Sequence, residues 1–106
     1  MHQTKSLFAN LPALTSGEAC DILWQTESVK IERIVSHHAA SEEGFWYDQE
    51  EDEWVLVVKG AAVLLIHPDE RVAMKAGDHL LLPAHCRHRV EWTSGETIWV
   101  AVHMKA

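Results

Sequence analysis

The sequence has few cysteines, and they are not arranged for a bridge or a redox motif. Its 106 residues include Cys20 and Cys86, which are far apart and form no CxxC pair. An isolated pair of this kind, without a secretion signal, is typical of reduced thiols. We therefore expect both cysteines to stay reduced and to have a structural role.

Positive charge and long apolar runs are also scarce. Nine Lys and Arg residues stand against sixteen Asp and Glu, which gives a formal net charge of -7. A protein that binds nucleic acid without sequence preference, or binds an anionic membrane surface, needs a basic face, so we expect neither partner. No apolar run approaches the roughly 18 to 20 residues of a membrane helix. Residues 1–12 lack the apolar region of a signal peptide, so we expect a cytoplasmic protein.

What the sequence does contain is a series of short β-type runs. Hydrophobic residues make up 47% of the chain and charged residues 24%, which predicts one folded domain over residues 1–106. The predicted strands are 20–25, 29–36, 54–58, 61–66, 71–75, 80–82, 88–92 and 97–103, separated by Gly and Pro turn signals. This spacing predicts an all-β sandwich or barrel. Only residues 15–22 could hold a short helical turn.

Several of these strands are apolar on both faces. Residues 54–58, 61–66 and 80–82 do not alternate apolar with polar side chains, as a wall that faces water should. Something must therefore cover their outer face. Residues 1–28, as an N-terminal strand or arm packed on the barrel, are one candidate, and a second subunit is the other. We expect a homodimer.

Strand periodicity places two ionisable side chains inside the barrel. Glu53 shares a strand face with Val55 and Val57, and His88 shares one with Val90 and Trp92. Because the apolar members should point inward, Glu53 and His88 should do so as well. A carboxylate in an apolar interior needs a cation or a donor. Either His88 or a metal ion could supply it.

The segments around these two residues resemble the motifs of the cupin superfamily. Gly77, Pro83 and His88 fit the second motif, although His85 stands where glycine is usual and Trp92 where asparagine is usual. Glu53 and Gly60 fit the second half of the first motif. Its two histidines would fall at Tyr47 and Gln49, so both are replaced. The resemblance covers about residues 29 to 103.

The resemblance implies a cupin-like antiparallel β-barrel (a double-stranded β-helix or jelly roll) of two packed sheets. It also implies a site for a divalent transition metal such as Zn, Fe, Mn or Ni. Here the ligands would be Gln49, Glu53 and His88, with Tyr47 as a further candidate, and amide and phenol are poorer ligands than imidazole. Alternatively, Glu53 and His88 form a buried hydrogen-bonded pair, and Gln49 and Tyr47 only line the pocket.

Other aromatic and histidine side chains allow further interpretations. Tyr47 and Trp92, with Trp46 beside Tyr47, could form aromatic walls for a planar or apolar organic ligand, or could simply fill the core. A zinc site from His37, His85 and His88 is a weaker alternative, since loop histidines are usually exposed. His103 fits a core or rim position.

The sequence leaves two functional interpretations open. In the first, the protein binds a small organic molecule in the barrel pocket without catalysis, as a binding or regulatory module. In the second, it is a metal-dependent cupin enzyme (an oxygenase, isomerase or decarboxylase) in which His88 and Glu53 are ligands or catalytic groups. Metal-free acid–base catalysis by the same pair is a third possibility. The two missing motif histidines favour the first.

Overall fold

The computed structural model describes residues 2–105, which form eight β-strands and no helix. The strands are β1 (Gly17–Gln25), β2 (Val29–His37), β3 (Glu51–Lys59), β4 (Ala61–Ile66), β5 (Glu70–Lys75), β6 (His79–Leu82), β7 (His88–Thr93) and β8 (Thr97–Lys105). Within this part of the chain, no helix is long and apolar enough to cross a membrane.

The strands form two antiparallel sheets of unequal size. The larger sheet has the strand order β1-β2-β8-β3-β6, and the smaller has the order β5-β4-β7. Side chains from the facing surfaces make one core, in which Val55, Val57, Leu64 and Trp99 are almost fully buried. The expected all-β fold of two packed sheets is confirmed.

The N-terminal part of the fold differs from the expectation in one place. The helical turn that residues 15–22 could form is absent, because β1 begins at Gly17 and pairs with β2 along its whole length. Backbone pairing with a neighbouring strand outweighs the weak local preference of these residues, a tertiary effect that sequence patterns do not record. β1 is one of the two edge strands of the larger sheet, and β6 is the other.

The segment before β1 lies against the outer face of the larger sheet. Arg33 of β2 is buried on this face, and its guanidinium donates to the carbonyl oxygens of Leu7 and Ala9 at 2.9 and 2.7 Å. It also pairs with Asp21 of β1 at 2.9 Å. The segment before β1, residues 2–16, is called the N-terminal arm from here on. The buried guanidinium holds this arm on the sheet, because it donates to the arm's carbonyl oxygens.

Candidate functional site

A cavity of about 350 Å³ lies between the two sheets. Its lining combines apolar side chains with ionisable ones from both sheets, and Tyr47 is a partly exposed member of it. The lining residues are Glu18, Cys20, Glu32, Ile34, Tyr47, Gln49, Glu53, Val55, Leu64, Leu82, His88, Val90, Trp99 and His103. A concave, mostly apolar space with a few convergent polar groups is the usual form of a small-molecule site.

Glu53 and His88 meet inside this cavity, as strand periodicity predicts. Glu53 lies on the inward face of β3, in line with Val55. His88 is the first residue of β7, in the smaller sheet. Both residues are buried, and His88 Nε2 lies 3.5 Å from Glu53 Oε1. The other ring nitrogen, Nδ1, lies 2.8 Å from the carbonyl oxygen of Cys86 and donates to it. This carbonyl fixes the ring so that Nε2 faces the carboxylate.

The two groups stabilise each other's charged forms. Burial alone would raise the pKa of Glu53, but the contact with His88 and the charge of His103 outweigh it and lower that pKa below 4.5. Burial alone would lower the pKa of His88, but Glu53 and the Cys86 carbonyl raise it above 6.5. The contact therefore favours the imidazolium–carboxylate form of the pair over its neutral form.

His103 is a second imidazole of the same site, which sequence reasoning placed only in the core or at the rim. It lies opposite Glu53 across the β3–β8 ladder, with Nε2 at 3.9 Å from Glu53 Oε2. The same nitrogen lies 2.8 Å from Glu32 Oε1, and this hydrogen bond raises the pKa of His103. Period two along β8, which sets His103 on the face of Trp99 and Ala101, is the signal that could have found it.

Tyr47 and Gln49 occupy the positions of the missing motif histidines, and both line the cavity. The Tyr47 ring stacks on the His88 ring, with centroids 5.4 Å apart, and the two backbones exchange hydrogen bonds of 2.7 and 3.1 Å. The Gln49 amide donates from Nε2 to Glu53 Oε1 at 3.1 Å. Both side chains therefore support the ion pair.

Trp92 lies outside the cavity, contrary to the expectation that it shares a face with His88. Val90 pairs with Leu64 on β4 but Trp92 pairs with Val63, so Glu91 is an extra residue at a β-bulge. A bulge reverses the alternation of faces beyond it. Trp92 therefore points outward and is 49% exposed. The indole that lines the cavity is Trp99, which donates to the Ser36 hydroxyl.

Three other candidate side chains also lie away from this site. Trp46 packs against His67 and under the guanidinium of Arg87, not on the cavity wall. His85 is exposed and pairs with Asp48 at 2.8 Å. His37 ends β2 beside the start of β8, whereas Glu53 pairs near the end of β8. The structure therefore does not assemble the zinc site of His37, His85 and His88.

The two cysteines are free thiols. Cys20 is exposed at the cavity mouth, and Cys86 packs against the core. Partial burial and the neighbouring carboxylates of Glu18 and Glu32 raise the pKa of the Cys20 thiol to about 11. At neutral pH this sulfur is a protonated thiol and a poor nucleophile.

Comparison with known proteins identifies the family. The cupin domain model matches residues 32–103. The chain belongs to the cupin family. No curated protein matches it. Its structure is similar to that of a Ralstonia eutropha JMP134 protein described as a putative mannose-6-phosphate isomerase, with 44% identity, a TM-score of 0.93 and coverage of 99% of this cupin and 100% of that chain.

More distant cupin structures share the fold. A cupin superfamily protein from Desulfitobacterium hafniense DCB-2 has 18% identity and a TM-score of 0.82, over 100% of this chain and 94% of that one. An RmlC-like cupin from Shewanella frigidimarina NCIMB 400 has 16% identity and a TM-score of 0.75, over 100% and 92%. At these identities the similarity establishes the fold only.

The side chains of this cupin do not fit a transition metal. Only His88 Nε2 and the Glu53 carboxylate converge on each other as an imidazole and an anion, because His103 Nε2 is bonded to Glu32 and Gln49 directs its amide nitrogen, not its oxygen, toward Glu53. Among residues 2–105, no three His, Cys, Asp or Glu side chains are arranged to hold a metal ion. One imidazole and one carboxylate are fewer than the three protein ligands of typical catalytic zinc sites.

Proposed function

We propose that this cupin binds a small organic molecule in the cavity between its sheets, and does so without a metal ion. The observation that carries the proposal is the cavity of about 350 Å³, whose apolar walls lead to the polar end of Glu53, His88 and His103. Apolar walls supply affinity by burial, and a few fixed polar groups supply orientation. The ion pair and the stacked Tyr47 ring hold that polar end in place before a ligand arrives.

A thermal-shift screen of small organic molecules tests this proposal. A ligand present at 100 times its Kd stabilises the folded state by about 2.7 kcal/mol, which raises the Tm of a domain of this size by several degrees. A Cys20→Trp variant places an indole at the mouth of the cavity and should lose the shift. Cys20→Ser, of similar size to the native thiol, should retain it.

The matched control is Trp92→Ala, which removes an exposed indole outside the cavity. Ligands that bind as proposed should raise the Tm of wild type and Trp92→Ala equally. A ligand that stabilises Cys20→Trp as much as wild type binds elsewhere. If every ligand found behaves in that way, the proposal is wrong.

Metal-free acid–base catalysis is the second candidate function, and the His88–Glu53 pair is the observation that favours it. An imidazole and a carboxylate 3.5 Å apart in a cavity can donate and accept protons on a bound molecule. The Ralstonia relative, described as a putative mannose-6-phosphate isomerase, suggests a sugar substrate. Moving a proton between adjacent sugar carbons requires one such acid–base pair.

Deuterium exchange tests this candidate. Mannose 6-phosphate and mannose are incubated with the protein in deuterated water, and NMR follows exchange of the proton at C2. Exchange by wild type and Trp92→Ala, with loss in His88→Gln and Glu53→Gln, would support it. Without exchange and without ketose product in the same spectra of wild type, isomerisation of these sugars is rejected.

The metal-dependent alternative, an oxygenase, isomerase or decarboxylase, would need ligands beyond those that the described residues bring together. Elemental analysis of protein purified without an affinity tag tests it directly. A stoichiometric transition metal would favour the enzyme and would show that the metal-free proposal is wrong.

A further inference from the structure

More acidic than basic side chains line the cavity. Three carboxylates line it, those of Glu18, Glu32 and Glu53, and two imidazoles, those of His88 and His103. Burial raises the pKa of Glu18. When all three carboxylates are ionised, the lining keeps an excess of negative charge even with both imidazoles protonated. The excess lies at the mouth, where Glu18 accepts only from neutral groups, the Ser36 hydroxyl at 3.1 Å and the Cys20 thiol at 3.9 Å.

Both imidazoles already have anionic partners. His88 directs Nε2 to Glu53 and Nδ1 to the Cys86 carbonyl. His103 directs Nε2 to Glu32 at 2.8 Å. An anionic ligand would have to displace one of these carboxylates to reach a positive charge. The displaced carboxylate would then be left unpaired in a buried site, which is costly.

All nine Lys and Arg residues lie within the described residues 2–105, and none of their side chains lines this cavity. Lys30 comes nearest along the backbone, since it pairs with His103 in the β2–β8 register, but it is not a lining residue. Arg33 points to the opposite face of β2 and is bonded to the N-terminal arm. Phosphate and carboxylate recognition normally uses such cations or a cluster of free backbone amides.

We propose that the cavity takes a ligand without anionic groups, either an uncharged or a cationic small molecule, and disfavours phosphorylated and carboxylate ligands. This inference rests on the proposed binding function and names the charge class of its ligand. Hydroxyl and amine groups of a ligand suit the Glu18, Glu32 and Glu53 carboxylates along the cavity, because their oxygens are hydrogen-bond acceptors. The apolar walls suit the ligand's hydrocarbon part.

Cys20 offers a direct probe of the charge selectivity, because its thiol is exposed at the cavity mouth. The reagents are 2-hydroxyethyl, 2-aminoethyl and 2-sulfonatoethyl methanethiosulfonate, which are neutral, cationic and anionic. Peptide mass spectrometry follows modification of Cys20 in the native chain, separately from Cys86. Both reagents react with the same thiolate fraction of Cys20, so this fraction drops out of the ratio of their rates. The ratio therefore reports only the local electrostatic potential and the access of each reagent to the sulfur.

The overall charge of -7 also repels an anionic reagent, so its effect on the rates must be distinguished from that of the cavity's own charges. A Gln3→Cys variant provides the matched control, since Gln3 is an exposed residue of the N-terminal arm. Relative to that thiol, we expect the anionic-to-neutral ratio at Cys20 to be lower by about tenfold, the effect of one uncompensated charge at short range. The cationic-to-neutral ratio should be equal or higher. The Gln3→Cys ratios at 0.15 M salt are the reference.

The source of the selectivity is tested with Glu18→Gln, whose amide oxygen can still accept from Ser36. We expect the anionic-to-neutral ratio at Cys20 to rise severalfold in this variant. An unchanged ratio would overturn the inference, as would a wild-type ratio equal to or above that of Gln3→Cys. The outcome is separable from the proposed function, because ligands found by thermal shift but bearing anionic groups would refute only the inference.

Discussion

The two faces of the larger sheet differ in where they carry ionisable and apolar side chains. Its inner face, toward the cavity, carries Glu32, Glu53 and His103. Its outer face carries a continuous apolar row across all five strands, in the order Leu81, Trp54, Val102, Ile31 and Trp24. The apolar core also lies on the inner face, but at this level of the sheet charge inside and apolar side chains outside reverse the usual order. The inner face is thus suited to a ligand, and the outer face to a cover.

The largest expected effect concerns that outer row, and it is a change of oligomeric state. The N-terminal arm covers the neighbourhood of Arg33, yet Leu81 and Trp24 at the two ends of the row are 52% and 57% exposed. The row spans roughly 19 Å at about 4.8 Å per strand, wide enough for sheet-on-sheet packing. We propose that a second copy covers it, with more than roughly 2,000 Å² buried in total.

Sedimentation at micromolar concentration checks the homodimer. Wild type should sediment as a dimer, and Leu81→Glu with Trp24→Glu should sediment as a folded monomer. Trp92→Glu, on the outer face of the smaller sheet, serves as the control and should remain dimeric. A monomeric wild type would mean that the N-terminal arm is a sufficient cover.

The next effect, about hundredfold, concerns Cys20 at the boundary between the two faces. A thiol with a pKa of about 11 rather than 9.0 has about one hundredth of the thiolate at pH 8. Alkylation of Cys20 by iodoacetamide should be slower by that factor than alkylation of the Gln3→Cys thiol, despite the exposure of Cys20. Equal rates would show that burial and the neighbouring carboxylates do not raise the pKa of this thiol.

The inner positions of Glu53 and His88 could be predicted because their strands keep period two between the motif residues. Trp92 could not be placed, because the extra residue Glu91 leaves no mark in the apolar pattern. His103 was missed for another reason. Its approach to Glu53 depends on the β3–β8 pairing, a contact between strands fifty residues apart in sequence. Local patterns predict faces but not the partners of those faces.

The ion pair of the inner face should contribute a smaller but measurable stability. His88→Ala leaves the Glu53 carboxylate buried with Gln49 as its main donor, at an expected cost of about 1 to 3 kcal/mol. Urea denaturation measures this cost. In a cycle with Glu53→Gln, the two changes should be less than additive, since either removes the same pair. Additive costs would mean that the two groups do not interact.

The smallest effect is a pH dependence carried by the same pair. The pKa of His88 is raised above 6.5, so its contribution is fully present below pH 6.5 and is lost as pH rises through the folded-state value. The pKa of Glu53 is lowered below 4.5, so its contribution is present above pH 4.5 and is lost as pH falls through its folded-state value. The two windows overlap between about pH 4.5 and 6.5.

The difference in unfolding free energy between wild type and His88→Ala isolates this dependence, because all other titrating groups are common to both chains. We expect the difference to be largest between about pH 4.5 and 6.5 and to shrink on both sides. His103 titrates in the same direction and remains in the variant, so it cancels. A difference that stayed constant from pH 4 to pH 9 would show that His88 and Glu53 meet as neutral groups. The polar end of the cavity would then carry no ion pair.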